Sequence, residues 1–211
     1  MHAEHADVWT RQGHIACFRG RGCAIIGNVT SSIAAEFRRY KSLGEAAIAQ
    51  VNEADLAKTA GEDNSIAVIV WHIGGNLRSR FTDFLTTDGE KPWRNRDEEF
   101  EARVVTREEL LAKWESGWQA QFGALVSLTD ADLDRNVTIR GRPLAVSDAL
   151  LRSLAHTSYH VGQIVYIAKS LNGTAWRTLS IPKGASAAYN QNPGRETPEH
   201  HAAMLESRKP Q

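Results

Sequence analysis

The chain has 211 residues, of which 42% are hydrophobic and 24% are charged, a composition typical of one globular domain. Its 25 basic and 25 acidic residues balance to zero net charge, which disfavours a dedicated nucleic-acid-binding protein because such proteins usually carry a basic excess. The longest apolar run, residues 66–73, is too short to span a membrane, and two cysteines exclude a disulfide-rich scaffold. We expect a cytoplasmic protein whose partners include neither nucleic acid nor membrane.

The first 28 residues differ from the rest because they contain both cysteines and have no sustained hydrophobic period. Cys17 and Cys23 are too far apart for a C-x-x-C metal or redox motif. We therefore expect residues 1–28 to be an unstructured leader or the product of a mis-assigned start, with translation beginning near Val29. Residues 29–190 are expected to form the folded domain, and residues 191–211 a C-terminal tail.

Four segments have apolar residues at helical spacing, namely residues 33–51, 66–84, 110–126 and 150–171. Capping patterns support the last three assignments. Asn64 or Ser65 can cap the second segment. Thr106 and Glu109 form a capping-box pattern before the third segment. Ser147 can cap the fourth segment.

The connections between these segments are unequal. Residues 88–105 form a polar connection that is long for a compact bundle, and long loops are often functional. Residues 137–144 have the pattern of a short β-hairpin with Gly141 at its turn. Since strands and helices do not alternate, we predict an all-α fold, a four-helix bundle with this hairpin before the last helix. Trp114 and Trp118, four residues apart on the third helix, could face the core or a dimer interface.

Three histidines are the candidates for chemistry. His156 and His160 are four residues apart, so their rings lie on one face of the last helix and can converge on a metal ion. Apolar neighbours turn this face inward, where two unpaired imidazoles would be costly to bury. His72 lies in the most apolar helix and can supply a third ligand if the second and last helices are neighbours. The alternative for each histidine is a hydrogen-bonded polar side chain in the core.

Residues 154–164, with the sequence LAHTSYHVGQI, resemble the last-helix signature of the DinB-like superfamily of four-helix-bundle metalloproteins. That superfamily places one ligand histidine on the second helix and an H-x-x-x-H pair on the last. The resemblance therefore implies a metal site formed by His72, His156 and His160. Four further stretches are similar to a bacterial branch known only as a domain of unknown function: residues 64–69, 75–80, 83–95 and 180–184.

Characterised members of the superfamily include a mycothiol-dependent maleylpyruvate isomerase and bacillithiol transferases. The resemblance implies a divalent metal, Zn²⁺ or Ni²⁺, that lowers the pKa of a bound thiol or water, with a low-molecular-weight thiol as co-substrate. We expect a homodimeric, metal-dependent thiol S-transferase or isomerase acting on a small molecule, with hydrolysis as the lesser possibility. The alternative is a non-catalytic metal-binding dimer with a stress-related or structural role.

Two polar side chains share helix faces with the histidines. Gln163 follows His160 by three residues and Asn76 follows His72 by four. Each could therefore hydrogen-bond a ligand ring or a bound water. The alternative is that each is only a polar residue at a hydrated contact between helices. No Asp or Glu lies within one turn of the histidines on these faces, which favours activation of a thiol over base-assisted hydrolysis. Three arginines could attract an anionic substrate or could merely be solvated: Arg78, Arg80 and Arg94.

Overall fold

The computed structural model describes residues 28–59 and 63–208 and is mostly helical. Its four long helices are α1 (Val29–Ile48), α2 (Ile66–Phe81), α3 (Arg107–Val126) and α4 (Val146–Asn172). The hairpin of β1 (Asn136–Ile139) and β2 (Arg142–Ala145) precedes α4, and two shorter helices follow it, α5 (Ser186–Gln191) and α6 (Pro198–Glu206). The predicted helical fold with a hairpin before the last long helix is confirmed. Residues 1–27 of the expected leader, with both cysteines, lie outside the described residues.

The long helices begin where acceptors satisfy their first N–H groups. The hydroxyl of Ser65 caps α2, and Thr106 forms a capping box with Glu109 at the start of α3, both as predicted. Helix α1 begins four residues earlier than predicted because the carboxylate of Asp130 accepts a hydrogen bond of 2.9 Å from the N–H of Val29. Among the described helices, none is both long and apolar enough to cross a membrane.

The predicted cap of α4 at Ser147 is wrong. This helix begins at Val146, and no side chain caps it. Instead, the N–H of Val146 donates to the carbonyl oxygen of Arg135 at 2.8 Å, and the N–H of Ser147 donates to that of Leu133 at 3.0 Å. Backbone carbonyls of the turn before the hairpin therefore satisfy the groups that a side-chain cap would otherwise satisfy.

Side chains from all four long helices pack into a hydrophobic core. Helix α2 contacts both α3 and α4, and α1 contacts α4. Trp114 and Trp118 of α3 are 1% and 0% exposed, so both belong to this core rather than to an exposed face. The contact between α2 and α4 has a functional consequence, because it places His72 beside the pair of histidines on α4.

The hairpin has a tight two-residue turn, and Gly141 lies in it as predicted. Strands β1 and β2 are antiparallel, and both turn residues, Arg140 and Gly141, have positive φ angles of 54° and 70°. The carboxylate of Asp88 accepts hydrogen bonds from the N–H groups of Arg140 at 2.8 Å and Gly141 at 2.7 Å. The connection between α2 and α3 is therefore attached to the tip of the hairpin.

The C-terminal segment contains a helix where a tail was expected. Helix α6 packs against α1, and Leu205 is fully buried in the contact. The hydroxyl of Ser42 on α1 also donates to the carboxylate of Glu206 at 2.8 Å. Burial of one large apolar side chain and this hydrogen bond hold the short helix in place.

Helices α2 and α3 approach closely at a pair of glycines. A Cβ atom added to Gly117 would lie 2.7 Å from Cα of Gly74, and one added to Gly74 would lie 2.7 Å from the carbonyl oxygen of Lys113. Backbone atoms cannot move aside as a flexible side chain can, so these positions require glycine. The close approach fixes α2, the helix that carries His72, against α3.

The substitution Gly117→Ala is expected to lower the free energy of unfolding by about 1–3 kcal/mol, because the new methyl group overpacks the contact between α2 and α3. Gly123→Ala on the same helix is the matched control, since nothing lies within 4 Å of its added Cβ. This control should gain up to about 1 kcal/mol from the better helix propensity of alanine. Urea unfolding measures both changes, and equal effects at the two positions would contradict the close approach.

Candidate metal centre

The structure brings the three predicted histidines together. His72 Nε2 lies 3.1 Å from His156 Nε2, and one ring nitrogen from each of His72, His156 and His160 lies within 4.8 Å of the other two. Two nitrogens that bind Zn²⁺ tetrahedrally at about 2.0–2.1 Å are separated by about 3.3 Å. His72 and His160 are buried and His156 is half-buried. These three side chains could hold a metal ion.

Two of the rings are oriented by hydrogen bonds at their outer nitrogens. His72 Nδ1 lies 3.0 Å from a carboxylate oxygen of Glu99, and His160 Nδ1 lies 2.7 Å from the amide oxygen of Gln163. Oxygen acceptors at Nδ1 place the proton there and leave Nε2 free as a metal ligand. Gln163 therefore contacts a histidine ring, one of the roles expected from its spacing.

Asn76, unlike Gln163, does not hydrogen-bond a histidine ring. It lines a cavity beside His72, and its side chain makes no hydrogen bond with the described residues. Its amide is therefore available to a molecule in that cavity.

Glu99 is the residue that sequence reasoning missed. It lies in a turn of 3-10 helix, Asp97–Phe100, within the long connection between α2 and α3. Arg94 holds its carboxylate through two hydrogen bonds of 2.8 Å, from Nε and from Nη2. The side chains of Arg94 and Glu99 are only 2% and 7% exposed. Of the two alternatives for Arg94, mere solvation is wrong, because its guanidinium is buried in this pair.

A glycine makes room for this carboxylate. A Cβ atom added to Gly75 would lie 2.0 Å from a carboxylate oxygen of Glu99. The adjacent glycines Gly74 and Gly75, which begin two residues after His72 in an otherwise apolar helix, were the sequence signal of a close approach at this point. They did not indicate which residue approaches.

The ion pair keeps Glu99 charged. Burial acts to raise the pKa of this carboxyl group, but the hydrogen bonds from Arg94 and His72 outweigh burial and hold the pKa below its ordinary value. A charged carboxylate accepts the Nδ1–H of His72 more strongly than a neutral carboxyl group would. Glu99 therefore fixes both the tautomer and the orientation of the ring.

The two histidines of α4 are held neutral. Burial, followed by the neighbouring His160 and His72, lowers the pKa of His156 from 6.5 to about 3. Burial also lowers the pKa of His160, against the opposing effect of its hydrogen bond with Gln163. Because only the neutral imidazole binds a metal, these environments prepare both rings as ligands at neutral pH.

A cavity of about 440 Å³ adjoins the site, and His72 and His156 form part of its wall. The remaining wall comes from α2, α4, the hairpin and the connection that carries Arg94. Arg80 and Arg94 line this cavity, whereas Arg78 is exposed and stacks on Trp93 at 4.9 Å. The volume is within the range of small-molecule sites.

The model of a family described as "Protein of unknown function (DUF1572)" matches residues 27–185 of the chain. This span includes the three histidines and Glu99. No match was found among curated proteins or among solved structures.

The substitution Glu99→Gln is expected to weaken Zn²⁺ binding by about 10–100-fold, because a neutral amide holds the Nδ1–H of His72 less firmly than a carboxylate does. Glu98→Gln is the matched control, since Glu98 is adjacent but exposed. Competition with a chromophoric chelator measures both affinities. Unchanged Zn²⁺ affinity in a folded Glu99→Gln protein would show that His72 does not need the carboxylate of Glu99 in order to bind the metal.

The metal-free protein is expected to lose stability as the pH falls. His156 has a folded-state pKa of about 3 against an ordinary value of 6.5, so between these values the unfolded chain binds more protons than the folded chain. This contribution to stability is complete above pH 6.5 and is lost progressively toward pH 3. Melting of metal-free His156→Asn should therefore depend less on pH between about 7 and 5 than melting of the parent protein.

The exposed His200 supplies the control for this measurement. The His200→Asn protein should retain the full pH dependence of the parent. An equal slope in the His156→Asn and parent proteins would contradict the assignment of the shifted pKa to His156.

Proposed function

The chain belongs to the DUF1572 family, and we propose that it is a DinB-like four-helix-bundle metalloprotein that acts as a metal-dependent thiol S-transferase or isomerase. The packing of the four long helices around a shared core supports the bundle. The order of the ligand-bearing helices, with His72 on α2 and the pair on α4, supports the likeness to that superfamily.

The donor set fits a divalent metal such as Zn²⁺ or Ni²⁺. His72, His156 and His160 would hold it through neutral imidazoles, a ligand type that suits both ions. Three protein ligands would leave a coordination position open, where a bound metal would supply Lewis-acid activation of a thiol or water. Glu99 and Gln163 would contribute by holding the rings of His72 and His160 in the orientation that ligation needs.

The observation that carries the enzyme proposal is the cavity beside the candidate ligands. A structural metal site is closed by protein, whereas a catalytic site is open to substrate. His72 and His156 line a cavity of about 440 Å³, so a bound metal would be next to space for a small molecule. This arrangement favours the enzyme over a non-catalytic metal-binding protein.

The composition of the cavity wall favours a thiol as the group to be activated. Among the described residues, no Asp or Glu lines the cavity. Glu99 approaches the site from the far side of the His72 ring, where Arg94 and His72 occupy its oxygens. A hydrolase would benefit from a carboxylate base beside the attacking water. A thiol needs only to lose its proton to become the nucleophile.

A homodimer is also part of the proposal. Three large side chains with an exposed fraction above one half lie on one face of α4, away from the core: Leu151, Tyr159 and Tyr166. An exposed apolar stripe of this kind is typical of a surface that contacts another protein.

Metal analysis followed by thiol-transfer assays tests the enzyme proposal. Protein purified without a polyhistidine tag should contain close to one divalent metal per chain, and a chelator should lower its melting temperature reversibly. Glutathione, mycothiol and bacillithiol, each supplied with monochlorobimane, should be conjugated faster by the metal-loaded protein than by the metal-free protein. His156→Ala should lose both metal and activity, whereas the exposed control His200→Ala should retain both.

The possible results separate the alternatives. Absence of metal from the parent protein after incubation with Zn²⁺ and Ni²⁺ would contradict the metal site. Bound metal without transfer activity for any of the three thiols would favour the non-catalytic metal-binding dimer.

A further inference from the structure

The cavity beside the histidines has a strongly basic wall. Six arginines line it, and no acidic residue among the described residues does so. They come from α2, the connection between α2 and α3, the hairpin and α4: Arg80, Arg94, Arg96, Arg140, Arg142 and Arg152. Their convergence is a product of the fold, because the chain as a whole has zero net charge.

The nearest carboxylates neutralise only part of this charge. Glu90 is shared by Arg80 at 3.2 Å and Arg140 at 2.8 Å, and Glu99 is occupied by Arg94. The other three arginines are less well compensated. Arg96 has one long ion pair of 3.6 Å with Asp97, whose side chain is 96% exposed. The side chains of Arg142 and Arg152 form no ion pair or hydrogen bond with the described residues.

Unsatisfied polar atoms in the same wall are an independent sign of a missing partner. Arg94 Nη1 and Ser153 Oγ are buried and have no hydrogen-bond partner among the described residues. The Arg94 side chain is 2% exposed and Ser153 is 8% exposed, and both residues line the cavity. Buried donors are rarely left unsatisfied in native proteins. An anion in the cavity would supply acceptors to this part of the wall.

The other part of the wall is apolar. It is lined by Phe81 at the end of α2, by Phe84 just after that helix, and by Ile139 and Leu144 of the hairpin. Arginine guanidinium groups bind carboxylates and phosphates through paired, charge-assisted hydrogen bonds. A ligand matched to both parts has an acidic head group and an apolar body.

We infer that the cavity binds a small molecule that carries an oxyanion group, a carboxylate or a phosphate, attached to an apolar body. Arg142 and Arg152 attract and hold the oxyanion, and the phenylalanines contact the apolar body. This inference rests on the proposed function, since it names the substrate class that would be presented to the metal centre. The arginine sites can be tested without any measurement of activity.

Calorimetric titration with phenylacetate, phenyl phosphate and phenylacetamide tests the inference. The first two probes share an apolar ring and differ in the oxyanion, and the third replaces the charge by a neutral amide. At least one acid should bind more tightly than the amide, with a dissociation constant lower by about tenfold or more. A tenfold difference in the dissociation constant corresponds to about one charge-assisted hydrogen bond of ordinary strength. The preferred acid identifies the head group as carboxylate or phosphate.

The double substitution Arg142→Gln/Arg152→Gln should weaken binding of that acid by at least about tenfold. Both side chains are exposed and unpaired, so the fold should persist, which circular dichroism checks. Arg177→Gln is the matched control, because it removes an exposed arginine outside the cavity wall and should leave affinity unchanged. Equal binding of the acids and the amide, or full affinity in the double variant, would overturn the inference.

Metal content measured on the same samples separates this inference from the proposed function. Loss of acid binding in the double variant with metal content retained supports the oxyanion site. Acid binding by a parent protein that takes up no metal would contradict the metal centre and leave the oxyanion site standing. Metal uptake by a parent protein that binds neither acid would contradict the oxyanion site and leave the metal centre standing.

Discussion

The buried pair of Arg94 and Glu99 is the contact on which the candidate site depends. A buried charge is tolerated only when a partner and further hydrogen bonds accompany it. Glu99 meets that condition through two hydrogen bonds of 2.8 Å from Arg94 and one of 3.0 Å from His72. Gly75 leaves the space that the carboxylate occupies. Through this pair, the long connection after α2 is joined directly to a candidate metal ligand.

The same connection also builds the cavity. Asp88 binds the backbone of the hairpin turn, and Glu90 links Arg80 on α2 to Arg140 on the turn. These contacts hold the hairpin beside α2 and α4, so that its arginines line the cavity next to the candidate metal site. The carboxylates of Asp88 and Glu90 are both engaged in these contacts. The cavity therefore has two of the candidate imidazole ligands on one side and partly compensated positive charge on the other.

Much of the helical framework could be predicted from the sequence because its signals are local. Apolar residues at helical spacing and the capping groups at Ser65 and Thr106 act over three or four residues, and the structure agrees with them. The spacing of His156 and His160 likewise determines that both rings share a helix face. His72 was a candidate third ligand from its place in an apolar helix, and the resemblance to a known superfamily strengthened the expectation that it joins them.

Contacts between distant parts of the chain could not be predicted in this way. Glu99 is 27 residues from His72, and the path of the intervening connection decides whether they meet. The start of α4 was mispredicted for a similar reason, because carbonyl groups from another segment replace the Ser147 side chain. The position of α6 depends on the surface that α1 offers to Leu205.

The sequence by itself determined the four long helices, the caps of α2 and α3, and the two histidines that share a face of α4, because each depends on neighbours within one or two turns. Only the tertiary structure decided that Arg94 is buried, that Glu99 orients His72, and that arginines from four segments line one cavity. Charge and burial at these positions are properties of the packed arrangement, in which side chains distant in sequence share a single low-dielectric environment.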